Sequence, residues 1–112
     1  IRPGPNVDQV IAPYRVADMN EARFDLIISG STLEHVREPW IWMEDAADAL
    51  MPGGKLIVIT HHTFHYHEHP VDCFRFFPEG IRALFDCTGK LRQYDICMYN
   101  ETDIYAVAER ER

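Results

Sequence analysis

The sequence predicts an α/β fold built on a parallel strand–helix–strand unit and completed by a C-terminal pair of antiparallel strands. Two apolar runs, residues 26–28 and 56–59, flank a segment with helical spacing, and neither run alternates with polar residues. Such runs are typical of strands that are buried on both faces of a parallel sheet. Two later strand-like segments are joined by a short turn-like connection, which predicts an antiparallel hairpin.

The boundaries of the elements follow from apolar spacing and from the positions of proline and glycine. Pro39 suits the first position of a helix, because its missing N–H costs nothing there. Trp40, Met43, Ala47 and Leu50 then recur on one helix face, and glycines after residue 52 end that helix. In order, the sequence predicts a short strand at 7–11, a strand at 24–29, a helical turn at 32–36, the helix from 39, a strand at 55–60, a helix at 78–86, and strands at 91–98 and 103–109.

Length and composition bound the organisation and the class of protein. The chain has 112 residues and forms at most one domain, 1–112. Since it begins with Ile1 and not Met, we expect a truncated domain. No apolar run approaches the roughly 20 residues of a membrane span, and no signal-peptide pattern is present. The three cysteines form no CxxC pair, which predicts buried, reduced thiols in a cytoplasmic protein.

The charge pattern argues against nucleic-acid binding. The net charge is −7 and the isoelectric point is about 5.2. Phosphate contacts supply most of the affinity of nucleic-acid-binding proteins and require clustered lysine and arginine side chains. The 11 basic residues are scattered along the chain, so no nucleic-acid partner is expected.

Two loops follow the carboxyl ends of the two parallel strands, where open α/β sheets form their binding crevice. The first loop comprises residues 29–35, and the second comprises residues 61–77. The second loop is long, aromatic and rich in histidine, and loops of this length in compact domains are usually functional or disordered. Because both loops leave the same edge of the sheet, we expect their side chains to converge on one site.

The segment FDLIISGSTLEHV, followed by Pro39, a helix, MPGGKLIVIT and later HPVDCFRFFPEGIRALF, resembles class I S-adenosylmethionine (SAM)-dependent methyltransferases that act on small molecules and sugars. The resemblance covers residues 7–109 and implies the C-terminal half of a Rossmann-like, three-layer sandwich. The family's glycine-rich GxGxG loop does not occur in these 112 residues. Two functions follow from the resemblance. The chain is either the C-terminal part of a SAM-dependent methyltransferase, or a non-catalytic methyltransferase-like binding or assembly module. An N-terminal half, or association as a homo-oligomer, would complete it.

The resemblance also implies a cofactor site and a substrate site. SAM is expected at the first loop, at Ser29, Gly30 and Ser31. A small-molecule substrate is expected at the second loop. Asp72 and Arg75, three residues apart, either pair with each other or leave the arginine to bind an anionic group. The candidate substrate-binding residues are therefore His67, Asp72 and Arg75.

The histidines have three alternative roles. An imidazole titrates near neutral pH and can take a proton from an attacking hydroxyl, so the candidate catalytic bases are His35, His65 and His69. Ubiquinone-type and small-RNA 2′-O-methyltransferases bind a metal through a Glu-any-any-Glu-His turn together with a later histidine, and this chain has Ser31 at the first position of the turn. The candidate ligands of a divalent metal are Glu34, His35 and His65, and imidazoles suit zinc or another transition metal. The third alternative is a set of solvated loop residues.

Overall fold

A computed structural model describes residues 24–68 and 71–112 of the chain. The strand expected at 7–11 lies outside these residues. Both α-helices have 11 residues, and no helix in the described segments is long and apolar enough to cross a membrane. The elements are β1 (Phe24–Gly30), a 3₁₀ turn (Leu33–His35), α1 (Pro39–Ala49), β2 (Leu50–His61), α2 (Pro78–Thr88), β3 (Leu91–Met98) and β4 (Asp103–Arg110).

The strands form one mixed sheet in the order β1-β2-β4-β3. β1 and β2 are parallel, with Ile27 opposite Leu56, and they are connected through α1. β4 inserts between β2 and β3 and runs antiparallel to both. The predicted parallel unit and the predicted antiparallel C-terminal pair are therefore confirmed.

The hydrophobic core lies on one face of this sheet. Along β2, Leu56 and Val58 are completely buried, whereas the intervening residues are not. Because side chains alternate between the two faces of a strand, this pattern shows that the helices cover one face only. α2 contributes Ile81 and Phe85 to the same core, and α1 contributes Met43.

The expectation that β1 is buried on both faces is wrong. Ile27 packs against the core, but Leu26 is 47% exposed and Ile28 is 62% exposed. β1 is an edge strand of the described sheet, and both helices lie on its opposite face. The described residues thus supply two layers of the three-layer sandwich, and the unalternated apolar run marks the face that they leave uncovered.

The packed face of α1 includes the predicted Met43 and Ala47 but not the predicted Trp40. Trp42 is 5% exposed and belongs to the core, whereas Trp40 is 50% exposed. The buried positions of the helix follow an i, i+1, i+4, i+5 pattern, which centres the apolar face between Trp42 and Met43. α1 ends at Ala49, and the chain enters β2 directly.

The two glycines after α1, Gly53 and Gly54, lie within β2 and do not only end the helix. Gly53 has a positive φ of 81°, a conformation that favours glycine. At Gly54 an added Cβ would lie 3.0 Å from the carbonyl oxygen of Phe24. This close approach accompanies an irregular register where β1 and β2 begin to pair.

The cysteines are free but not buried. Cys73, Cys87 and Cys97 are all exposed, so the expected burial is wrong. Cys97 pairs in register with Tyr105, on the sheet face that the helices do not cover. This thiol is exposed because its side of the sheet does not face the core.

The packing of α1 predicts unequal effects for its two tryptophans. Trp42→Ala should lower the free energy of unfolding by about 3–5 kcal/mol, because it leaves a cavity in the core. Trp40→Ala, the matched control on the same helix, should lower it by less than about 1 kcal/mol. Urea denaturation followed by circular dichroism measures both values, and equal losses would contradict this packing.

Candidate functional site

The two loops meet at the carboxyl ends of β1 and β2, as the topology predicts. The backbone N–H groups of Cys73 and Phe74 donate to the carbonyl oxygen of Glu34 at 2.8 and 3.1 Å. The N–H of Phe76 donates to the carbonyl oxygen of His61 at 2.9 Å. The second loop is therefore held directly over the 3₁₀ turn and the end of β2.

The centre of the site is the carboxylate of Glu34, which is completely buried. Its Oε1 accepts a hydrogen bond from the hydroxyl of Thr60 at 2.7 Å. Its Oε2 is buried without a hydrogen-bond partner and lies 3.4 Å from His61 Nε2 and 3.8 Å from His35 Nε2. Because an unpartnered buried oxygen is costly, Oε2 requires a hydrogen-bond donor or a cation beside it.

Three imidazoles surround the carboxylate, and each is oriented through its Nδ1. We refer to His35, His61 and His67 as the imidazole cluster. Oxygen acceptors face the Nδ1 atoms: the Val71 carbonyl for His35 at 2.6 Å, Asp103 Oδ1 for His61 at 2.9 Å, and the His65 carbonyl for His67 at 3.2 Å. Since these oxygens only accept, Nδ1 donates, and Nε2 of each neutral ring carries the lone pair.

Asp103 anchors one of these imidazoles. Burial raises the pKa of the Asp103 carboxyl, but hydrogen bonds from Asn100, His61 and Thr102 outweigh it and bring the pKa below its usual value. An ionised carboxylate on the Nδ1 side fixes the ring of His61. The residues missed from sequence are therefore Thr60 and Asp103. Two signals could have found them. Thr60 lies on the buried face of β2, and Asp103 lies opposite His61 on the neighbouring strand.

Arg75 braces the second loop through an ion pair with Asp72. All five guanidinium N–H groups have acceptors: both Asp72 carboxylate oxygens at 2.6 and 2.7 Å and the carbonyl oxygens of Phe64, His65 and Phe74. The hydrogen bond from Arg75 is the main reason that the pKa of Asp72 lies well below its usual range. The backbone N–H of His67 also donates to Asp72 at 2.7 Å, so the ion pair positions His67.

The candidate metal ligands are only partly those expected. One ligand atom from each of Glu34, His35 and His67 falls within 4.8 Å of the others. His65 is exposed and lies beside this group, with its ring centroid 6.0 Å from that of His67. His67, expected at the substrate, thus takes the place expected for His65. His69 lies outside the described residues.

A groove lies along β1, on the side of the first loop that faces away from the imidazole cluster. Its volume is about 490 Å³, within the range of about 300–1,000 Å³ typical of small-molecule sites. Ser29 Oγ is buried without a hydrogen-bond partner, and Gly30 has open space where a side chain would be. The described residues that line the groove are Phe24, Leu26, Ile27, Ile28, Ser29, Gly30, Thr32 and Trp42. Ser31 shapes the loop: its φ is 51°, and its N–H donates to the carbonyl of Ile59 at 2.9 Å.

Comparison with known proteins identifies the family. The model of the family described as "Methyltransferase domain" matches residues 2–58, just over half of the chain. The chain therefore belongs to this methyltransferase-domain family, and the resemblance seen in its sequence is confirmed. No curated protein sequence matches the chain significantly.

Solved structures share the fold at low sequence identity. The N-terminal domain of EvdMO1 with S-adenosylhomocysteine bound is 23% identical, with a TM-score of 0.67 over 96% of this chain and 55% of its own. The CurJ carbon methyltransferase is 17% identical, with a TM-score of 0.68 over 86% of this chain and 32% of its own.

A third structure is the Burkholderia thailandensis 1,6-didemethyltoxoflavin-N1-methyltransferase, with 1,6-didemethyltoxoflavin and S-adenosylhomocysteine bound. It is 14% identical, with a TM-score of 0.66 over 87% of this chain and 48% of its own. The chain thus spans between about a third and just over half of these proteins, and it has their Rossmann-like methyltransferase fold.

The Asp72–Arg75 pair predicts a pH-dependent contribution to stability. A lowered carboxyl pKa stabilises the fold above the unfolded-state pKa of about 3.9, and this contribution is lost as the pH falls through the folded-state pKa. The difference in stability between wild type and Asp72→Asn should therefore be constant near neutral pH and shrink below about pH 4. Urea denaturation across this pH range measures it.

The control for this prediction removes the partner. In an Arg75→Gln background, Asp72→Asn should show much less pH dependence, because the main cause of the lowered pKa is gone. A difference between wild type and Asp72→Asn that stays constant down to about pH 3 would contradict the assignment.

Proposed function

We propose that this protein acts in SAM-dependent methyl transfer to an uncharged small molecule. The observation that carries the proposal is the arrangement around the first loop. Ser29, Gly30 and Thr32 line the groove along β1, and Glu34 and His35 join the imidazole cluster on the other side. Membership of the methyltransferase-domain family favours this function over that of a non-catalytic module.

The groove is the proposed position of SAM. Its volume suits a small-molecule ligand, and the buried, unpartnered Oγ of Ser29 offers a hydrogen bond. Gly30 leaves the loop backbone accessible, because no atom lies within 4 Å of the position of an added Cβ. The bound S-adenosylhomocysteine in the EvdMO1 structure supports a cofactor of this type.

The imidazole cluster is the proposed acceptor of the substrate proton. SAM supplies an electrophilic methyl group on sulfonium, which leaves the enzyme mainly to position the reactants and remove a proton. His35 is held through Nδ1 by the Val71 carbonyl at 2.6 Å, so its Nε2 is available to take a proton from the acceptor hydroxyl or amine. His65, exposed at the side of the cluster, is the second candidate base.

The second loop favours an uncharged acceptor. All N–H groups of Arg75 are used within the loop, so the guanidinium has no donor left for an anionic substrate. A shallow depression of about 260 Å³ adjoins it, lined by the aromatic rings of Phe64, Tyr66 and Phe74 together with Asp72, Cys73 and Arg75. Exposed rings stack on flat or apolar ligands, and the structure with 1,6-didemethyltoxoflavin supports a small-molecule substrate.

S-adenosylhomocysteine binding tests the proposal, both in the 112-residue chain and together with any sequence that precedes it in its gene. Gly30→Val should weaken binding by about tenfold or more, because its side chain would project into the cofactor site. Gly80→Val is the matched control, since an added Cβ there also meets nothing within 4 Å, but Gly80 lies in α2. Isothermal titration calorimetry measures both affinities.

The outcomes separate the two functions. Weaker binding by Gly30→Val alone supports the proposed cofactor position. Absence of binding heat in both forms of the wild-type protein would overturn the proposal and favour a binding or assembly module. Equal weakening by both glycine variants would reject the groove as the cofactor site.

A further inference from the structure

We infer that the second loop binds a planar aromatic ring that carries a hydroxyl or amino group, and that this ring belongs to the methyl acceptor. The site is the shallow depression lined by Phe64, Tyr66 and Phe74, which we call the aromatic depression. The role of the ring as methyl acceptor rests on the proposed function. The preference for a planar ring rests only on the contacts within the second loop.

The three side chains of the aromatic depression are exposed although they are large and apolar. Tyr66 is 68% exposed, and Phe64 and Phe74 are each 37% exposed. The depression has a volume of about 260 Å³, slightly below the range of about 300–1,000 Å³ that is typical of whole small-molecule sites. It therefore suits a ligand of one or two fused rings, or one such part of a larger ligand.

One guanidinium fixes the two phenylalanines relative to each other, although they lie at opposite ends of the loop. Arg75 Nε donates to the carbonyl oxygen of Phe64 at 3.2 Å, and Arg75 Nη1 donates to that of Phe74 at 2.8 Å. Asp72 holds the same guanidinium through both of its carboxylate oxygens. The backbone at both rings is thus ordered before a ligand binds, which lowers the entropic cost of binding.

Each phenylalanine ring also packs against another ring of the protein. Phe64 stacks on His61, with ring centroids 4.5 Å apart and ring planes 14° apart. Phe74 lies against the buried Phe76, with ring centroids 5.8 Å apart. Aromatic pairs contribute more than the area that they bury. A planar ring placed on the exposed parts of Phe64 and Phe74 gains this contribution, whereas a saturated ring of the same size gains only from burial.

The polar side chains at the aromatic depression leave acceptors for a ligand but no free donor. All N–H groups of Arg75 are used within the loop. The hydroxyl of Tyr66 donates to Glu68, and this hydrogen bond, together with the charge of Glu68, raises the pKa of the phenol. The Tyr66 oxygen and the Glu68 carboxylate can both accept. A ligand with an O–H or N–H group satisfies them, and an anionic ligand does not.

Phe64 places the aromatic depression beside the imidazole cluster. Besides its stacking on His61, its ring centroid lies 5.0 Å from that of His67. The exposed His65 ring lies against Phe64 at 4.1 Å, and the His65 carbonyl accepts from Arg75 Nη2 at 3.0 Å. A hydroxyl or amino group at this end of a bound ring therefore lies beside an imidazole that can take its proton.

Three probes of similar size test the selectivity. Naphthol is planar and carries a hydroxyl, decahydronaphthol has the same skeleton without aromatic rings, and naphthoate is planar but anionic. We expect naphthol to bind with a dissociation constant of about 0.1–1 mM. The other two should bind at least about fivefold more weakly, because one lacks the ring contacts and the other carries a charge that the site does not pair. Chemical-shift titration of the isotope-labelled protein, without SAM, measures all three.

Three variants locate the site. Phe74→Leu and Tyr66→Leu should each weaken naphthol binding by about fivefold, because each removes a ring and leaves an apolar side chain. Both side chains are exposed, so both variants are expected to fold. Phe77→Leu is the matched control, since Phe77 is 59% exposed but does not line the depression. It should change the affinity by less than about twofold.

Two sets of results would overturn the inference. One is the absence of naphthol binding, or binding of decahydronaphthol or naphthoate as tightly as naphthol. The other is naphthol binding that Phe74→Leu and Tyr66→Leu leave unchanged, or that Phe77→Leu weakens as much as they do, because the probe would then bind elsewhere.

The aromatic site and the proposed function can fail separately, because none of the three substituted residues lines the groove along β1. S-adenosylhomocysteine binding without selectivity for naphthol would overturn the aromatic site and leave the proposed function intact. Selective naphthol binding without S-adenosylhomocysteine binding would support the aromatic site, but would overturn its role in holding a methyl acceptor.

Discussion

The buried carboxylate of Glu34 is the constraint on which the site depends. Its hydrogen bond to Thr60 joins the 3₁₀ turn after β1 to the end of β2, and its backbone carbonyl receives two N–H groups of the second loop. One residue therefore connects three segments that are distant in sequence. Its other carboxylate oxygen, Oε2, lies 3.4 Å from His61 Nε2 and 3.8 Å from His35 Nε2.

The sheet explains why this constraint lies where it does. β1 and β2 are parallel, so their carboxyl ends and the loops that follow them share one edge. β4 then pairs with β2 and brings Asp103 opposite His61. The antiparallel hairpin is thus part of the site, since it supplies the carboxylate that orients this ring. The ion pair of Asp72 and Arg75 holds the second loop in place beside His67.

Local patterns were sufficient for most elements but not for their packing. β3 begins and ends at Leu91 and Met98 as predicted, because alternation and flanking turn residues are properties of the segment itself. The burial of β1 was misjudged, since its exposed face depends on which layers surround the sheet. Trp42, and not Trp40, lies in the core for a related reason. Helical spacing predicts that the helix has an apolar face, but the surface against which the helix packs decides which residues form that face.

By itself, the sequence determined the methyltransferase-type fold and the two converging loops that bring Glu34 and His35 beside the second loop, because these follow from local spacing and from the direction of parallel strands. Only the tertiary structure decided that His67 joins them while His65 stays outside, and that Thr60 and Asp103 complete the surroundings. Neighbouring histidines in an irregular loop have no periodicity. Their orientation is set by contacts with residues that are remote in sequence, such as the Asp72 carboxylate held by Arg75.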